Sequence, residues 1–360
     1  MDGLLYREDI EQVRERLSAW WNGGDIGRPV LVITVPRKDP LEEIKEMPKP
    51  LDVVCPQYTM RSLAYRVNYG IRSCASRVYL GEAVPAVSPC LGPNCVAAYL
   101  GSETKEGEDT VWFEPCIKAP ETARFSFDPA NRSWVFQLEL IKEYLKFSKG
   151  KFLINFPDLI EGLDTLSAMR GTEPLLMDLI ERPDWVHQCL ENITEVYFKY
   201  YETIYSLIKD QIGGSQFFVW ARGRTSKLQC DFSAMISADM FNEFMVPVLS
   251  EMTSRIPYTW YHLDGPAALR HHELILRLSN LLMLDWVPGD NSDPPEHPRW
   301  WPIYHKTLDA GKRIHLYFHQ FSPDGINQMK KEFGTRLNKF VLQMDLDSPQ
   351  KGETIFKMFE

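Results

Sequence analysis

The residues best suited to chemistry in this chain stand in Tyr261-His262-Leu263-Asp264-Gly265. At a strand end the side-chain period of two puts His262 and Asp264 on one face, and the glycine lets the backbone turn sharply into the next element. An imidazole and a carboxylate at this spacing can share a metal ion. They can also act as a proton-transfer couple, in which the carboxylate orients the ring and raises its basicity. The competing reading is a polar lid, with His262 capping the following helix or satisfying a buried carboxylate. Asp231, in Leu228-Gln229-Cys230-Asp231-Phe232-Ser233, ends another strand-like run. It reads as an acid/base group, as a ligand, or as a carboxylate that binds loop amides. His262, Asp264 and Asp231 are the catalytic candidates, and His262 with Asp264 the candidate metal ligands.

Further polar and aromatic residues close other strand-like runs: Asp158, Trp220 with Arg222, Trp286, His319 and Asp345. These are the candidate substrate contacts, the tryptophans as pocket walls or equally as core. Asp158, Glu161 and Asp164 also suit a helix N-terminus. Cys230 alternates away from Asp231 and reads as core. Cys90 and Cys95 read as loop thiols, and His271-His272 as surface residues of a helix.

These groups need elements to position them. A first helix is expected over 7–21, followed by the Asn22-Gly23-Gly24 stop and a continuous apolar strand over 29–36. Strands are expected at 151–156, 216–220, 227–232, 258–263, 281–287, 313–318 and 339–346. Helices are expected at 174–208 with a break at Glu181-Arg182-Pro183-Asp184, and at 238–252, 266–278, 301–309 and 323–333. Eight strands alternating largely with helices predict a single α/β domain over 1–360, a (β/α)8 TIM barrel. Residues 39–148 are irregular apart from a helical piece near 58–69, and are expected to form a helical and irregular N-terminal insertion between barrel strands one and two. No glycine-rich dinucleotide or P-loop fingerprint follows any strand.

Composition narrows the classes. Forty basic against forty-nine acidic residues, a net charge of −9, argue against nucleic-acid binding. No run approaches the ~18 apolar residues of a membrane span, and the opening Met1-Asp2-Gly3-Leu4-Leu5-Tyr6-Arg7-Glu8 is too polar and acidic for a signal peptide. Seven cysteines form no tight framework, which suits reduced thiols. The expectation is a cytoplasmic protein with no membrane partner. Ten tryptophans, several in turn-rich stretches, suggest a pocket for a flat or apolar small-molecule substrate.

Ser233-Ala234-Met235-Ile236-Ser237 with its helix, His262-Leu263-Asp264-Gly265, Trp286-Val287-Pro288-Gly289 and Asp309-Ala310-Gly311-Lys312 together resemble the uroporphyrinogen decarboxylase superfamily. The likeness is greatest to its branch grouped with cobamide-dependent methyltransferases and trimethylamine corrinoid proteins. In the methyltransferase members a His-x-Cys-Gly motif and a late cysteine bind a zinc that activates a thiol. Here His262 fits, but Asp264 stands at the cysteine position and no cysteine follows Cys230. The resemblance therefore implies no thiolate zinc site, and leaves a His/Asp site using Asp345 or His319 open. The decarboxylase members hold a tetrapyrrole with an arginine-rich N-terminal loop, and Val35-Pro36-Arg37-Lys38-Asp39-Pro40 lacks that pattern.

The implied function is a corrinoid-dependent methyltransferase, a demethylase of a small methylated compound, with His262 or Asp231 protonating the leaving group. The corrinoid would be carried by a partner protein. Two alternatives remain: a decarboxylase, lyase or glycoside-cleaving barrel working through strand-end carboxylates, and a barrel that binds without catalysis.

Overall fold

Runs of β-branched and aliphatic residues set the centre of the molecule. The computed structural model describes residues 3–359. It opens with α1 (Ile10–Trp21) and β1 (Val30–Pro36), the latter buried over most of its length. The segment read as an insertion then supplies α2 (Leu63–Ala75), β2 (Arg77–Gly81), β3 (Ala86–Val87), the short α3 (Cys95–Tyr99), the hairpin β4 (Glu103–Glu106) and β5 (Val111–Glu114), and α4 (Arg132–Ser148). Beyond it come β6 (Leu153–Ile154), α5 (Gly162–Arg170), α6 (Thr172–Glu181) and α7 (Pro183–Ile208), with the expected break at Arg182-Pro183. Proline suits the first turn of a helix because it has no N–H to leave unpaired.

The expected strand at 216–220 is instead two antiparallel pieces, β7 (Ser215–Phe217) and β8 (Val219–Ala221). Phe218 makes the turn between them in the left-handed region, at φ 60°. The remainder follows the alternating order: β9 (Thr225–Gln229), α8 (Ala238–Met240), α9 (Val246–Arg255), β10 (Tyr258–Asp264), α10 (His272–Leu276), β11 (Met283–Val287), α11 (Trp301–Asp309), β12 (Arg313–Phe318), α12 (Pro323–Phe333), β13 (Phe340–Asp345) and α13 (Pro349–Lys357). Between α8 and α9 a π-helical turn spans Phe241–Met245. It ends two residues before Pro247, which has no N–H for the helical ladder and crowds the carbonyl four residues back.

The fold is mixed α/β. A seven-stranded sheet runs β2-β1-β13-β12-β11-β10-β9, parallel throughout except for β2 against β1. Residues 39–148 therefore do more than decorate: they give this sheet its edge strand, and they give β3 as the parallel partner of β6. Helices cover the sheet, with α11 against β12 and α13 against β1. Burial on both faces accounts for the near-continuous apolarity of the strands. At their N-terminal ends α1 is tied down by its two indoles: Trp20 Nε1 donates to Asn338 O at 2.8 Å and Trp21 Nε1 to Trp220 O at 3.0 Å. No helix among the described residues is long and apolar enough to cross a membrane.

His271 and His272, expected at the surface, are both buried. His271 Nε2 meets Ser233 O at 2.9 Å and its ring stacks on Phe241, while His272 Nε2 meets Thr307 Oγ1 at 2.9 Å. Burial, helped by the Lys306 charge, pushes the His272 pKa down to about 4. A histidine with a depressed folded pKa gives its full stabilisation above the unfolded value near 6.5 and loses it as the pH falls toward 4. Between pH 7 and 4.5 the protein should therefore lose roughly 2–3 kcal/mol through this group. Denaturant unfolding of the wild type and His272→Gln across this range checks it, the variant showing the shallower acid loss.

Candidate functional site

Parallel pairing in register turns scattered polar residues into a rank. His262 lies opposite Asp285 on β11 and Gln229 on β9, and Asp285 lies opposite His315 on β12. These positions share one face of the sheet, together with Lys227, Tyr317, Gln343 and, at the strand ends, Asp264 and Asp345. Gly265 follows β10 at φ 75°, the turn the motif required.

The centre of the rank is Asp285, buried between two imidazoles. His262 Nδ1 is 2.6 Å from Oδ2 and His315 Nδ1 is 2.8 Å from Oδ1, while His315 Nε2 faces Gln343 Oε1 at 2.9 Å. Burial alone would raise the Asp285 pKa, but the two histidines outweigh it and hold the carboxyl well below its usual range. It is ionised and accepts a hydrogen from each Nδ1. For His262 burial opposes the charged form, yet the Asp285 charge and hydrogen bond prevail and the pKa rises. Among the described residues no protein group bonds His262 Nε2, and the side chain is 22% exposed. A ring held at Nδ1 by a carboxylate and open at Nε2 is arranged for proton transfer at Nε2.

Beside it β9 carries an alternating array. Lys227 Nζ pairs with Asp158 Oδ2 at 2.8 Å and donates to Gln229 Oε1. Gln229 Nε2 donates to Asp231 Oδ2 at 3.0 Å and more weakly to Asp164 Oδ2 at 3.3 Å. Asp164 also accepts the amides of Asp231 and Phe232, each at 2.8 Å. Asp231 meets water at its outer edge and is hemmed in by protein elsewhere. That burial, with the charges of Asp164 and Asp264, raises its pKa to about 6 against the pull of His262 and Lys227. Glu161 is wholly buried: Oε1 accepts Gln229 N–H at 2.9 Å, Oε2 has no partner, and burial raises its pKa well above the carboxylate range.

The tip of the β7–β8 hairpin lies against this same face. Phe217 packs on Trp260 with Lys227 Nζ 5.7 Å from its ring centroid, and Phe218 stacks on His315 at 5.8 Å and 8°. Phe218 is 39% exposed although it stacks on a buried histidine. Phe217 and Phe218 thus give the candidate cup an apolar side, and the rank of strand residues gives it a polar one.

His262 and Asp231 thus come together with Lys227 and Asp158, and Asp264 is close enough to bear on Asp231. Asp264, His319 and Asp345 are exposed at the strand ends and form an outer rim; Asp345 accepts from Thr34 Oγ1 and from Tyr317 OH at 3.1 Å. Three expected contacts lie elsewhere. Trp220 is buried near α1, bonded to Asp210 Oδ2 at 2.8 Å with the Arg14 guanidinium over its ring. Arg222 is exposed in the turn before β9. Trp286 alternates away from Asp285 and packs on Trp300. Asp285 was legible as a strand residue but not as the hub, and His315, Lys227, Gln229 and Gln343 were missed. Their signal was a polar side chain inside a strand buried on both sides.

The His262–Asp264 metal pair does not assemble a ligand set. His262 Nδ1 is engaged by Asp285, and no group of three or more His, Cys, Asp or Glu among the described residues is placed to hold a metal ion. A cavity of about 640 Å3 lies away from the cup, between α2, α4 and residues 42–47; the charged Glu42 and Lys151 on its wall pair with each other. Comparison with models of known families and with curated proteins returns no match.

Replacing Asp285 by Asn should lower the His262 pKa by at least about one unit, read from the imidazole proton shifts by NMR. It should also cost about 2–4 kcal/mol of stability, because an amide cannot accept from both imidazoles. A raised histidine pKa stabilises fully below the unfolded value and fades as the pH climbs through the folded one. The His262 part of the cost should therefore be larger at pH 6 than at pH 9.

Proposed function

We propose that the chain is a (β/α)8-barrel enzyme of the uroporphyrinogen decarboxylase-like type that demethylates a small methylated compound, with His262 as the proton-transfer residue. The barrel would use β1, β3, β6 and β9 to β13. Two hydrogen bonds outside the seven-stranded sheet are in keeping with this arrangement: Asn155 N–H to Val87 O, which continues the β3–β6 pair, and Phe156 N–H to Gln216 O, which ties the chain after β6 to the β7–β8 hairpin.

The observation that carries the reading is the Asp285 carboxylate holding His262 by Nδ1 while Nε2 has no protein partner among the described residues. A raised pKa keeps a share of His262 protonated near neutral pH, as a general acid requires. The substrate would lie on Phe217 and Phe218, and Nε2–H would pass its proton to the departing amine or alkoxide. The ring then stays neutral with Nδ1–H on Asp285. The exposed rim of Asp264, His319 and Asp345 leaves the strand ends open to a docking partner. A reduced corrinoid carried by that partner supplies the methyl acceptor when bound.

A second reading, a lyase or hydrolase driven by carboxylates, draws on Asp231, whose pKa near 6 suits a carboxylic general acid. A barrel that only binds has no need of a buried carboxylate held between two histidines.

The test combines the protein with a Co(I) corrinoid protein and a panel of methylated amines and methoxy compounds. We expect methylcobalamin absorbance with at least one donor, a turnover about 10²–10⁴-fold lower in His262→Gln, and a rate that falls as the pH rises through the His262 pKa. No absorbance change with any donor defeats the methyl-transfer reading. Turnover of a substrate without corrinoid that is lost in Asp231→Asn would select the second.

A further inference from the structure

Behind Asp158 lies a pair of thiols that the proposed reaction does not use. Cys90 and Cys95 are free and buried, and their Sγ atoms are 3.9 Å apart across Leu91-Gly92-Pro93-Asn94. They grip Asp158 from both sides. Asp158 N–H donates to Cys90 Sγ at 3.3 Å, and Cys95 N–H donates to Asp158 O at 2.9 Å. The carboxylate of Asp158 in turn holds Lys227, the cation in the wall of the cup.

We propose that Cys90 and Cys95 are a redox modification site, oxidised by a hydroperoxide to a disulfide that loosens Asp158. The sulfurs must approach by roughly 1.9 Å to reach bonding distance near 2.05 Å, a movement within reach of side-chain rotation and a small loop shift. The partners differ in readiness. The hydrogen bond from Cys95 favours the Cys90 thiolate, whereas burial pushes the Cys95 thiol up. Cys90, whose sulfur also receives the Asp158 amide hydrogen at 3.3 Å, is therefore the attacking sulfur.

The Cys90 thiolate attacks one oxygen of hydrogen peroxide, giving the sulfenic acid and hydroxide. The hydroxide takes the proton released by Cys90 and becomes the first water. The Cys95 sulfur then bonds to the Cys90 sulfur and expels its hydroxyl, which leaves with the Cys95 proton as the second water. Two electrons leave the dithiol and reduce the peroxide. To bond Cys95, Cys90 Sγ must leave its place opposite Asp158 N–H, so that amide loses its partner. This chemistry does not depend on the methyl-transfer reading, and its readouts need no turnover.

The experiment uses the full chain carrying Cys116→Ser, which removes the exposed thiol. After hydrogen peroxide we expect two fewer alkylatable thiols, a loss of about 2 Da confined to the peptide that contains both cysteines, and reversal by dithiothreitol. Amide exchange over residues 156–163 should quicken at least about threefold on oxidation and return on reduction. With Cys95→Ala, Cys90 should stop at the sulfenic acid and be trapped by dimedone, whereas Cys90→Ala should leave Cys95 unlabelled. Thiols that both stay alkylatable, over-oxidation without the loss of 2 Da, or a disulfide that leaves exchange at Asp158 unchanged would each overturn the proposal. If either variant fails to fold, mass and exchange on the parent chain decide.

Discussion

A single buried carboxylate organises the polar side of the sheet. Asp285 is buried, and among the described residues the imidazoles of His262 and His315 are its side-chain hydrogen-bond partners. Such a charge is costly to bury alone and is kept only where donors are fixed at hydrogen-bonding distance. Three neighbouring strands must therefore hold their register, because a slip of one residue would turn each of these side chains to the opposite face. Geometry at the candidate site and correctness of the central sheet are the same constraint.

The β9 array shows the complementary situation. Carboxyl groups crowd around one ammonium, and their environments part them: Asp158 is paired with Lys227, Asp231 is raised, and Glu161 is driven toward its neutral form by complete burial. Groups of the same chemical type thus meet different surroundings within one site, the kind of arrangement that lets a fixed set of residues serve as acid and as base.

What could be read before the structure follows physical range. α11 and α12 were legible to the residue, since proline opens their first turns, the Ser322 hydroxyl caps α12, and glycine stands at or just beyond their ends. The shared face of His262 and Asp264 was legible from period two. α4 was readable as well: Trp134, Gln137, Leu140, Ile141 and Tyr144 mark one buried face and Asn131 caps it, but the surrounding proline-rich chain hid the pattern. The β7–β8 turn left no such trace, because Phe218 adopts a conformation that glycine usually signals. The Asp285 hub depends on which strands become neighbours, and no local period carries that. His271 and His272 were misplaced for a similar reason: Phe241, Ser233 and Thr307, which enclose them, come from distant parts of the chain.

The pairing of β1 with β13 has a consequence for synthesis. Val30 must meet Val341, so β1 leaves the ribosome about three hundred residues ahead of its parallel neighbour. Throughout that interval β1 would offer a bare edge to any passing chain. The antiparallel β2, only some forty residues downstream and locked to β1 from Val32 to Pro36, gives it an early companion on one side. A strand at odds with the direction of its sheet would thus shield one edge of β1 while the chain is still being made.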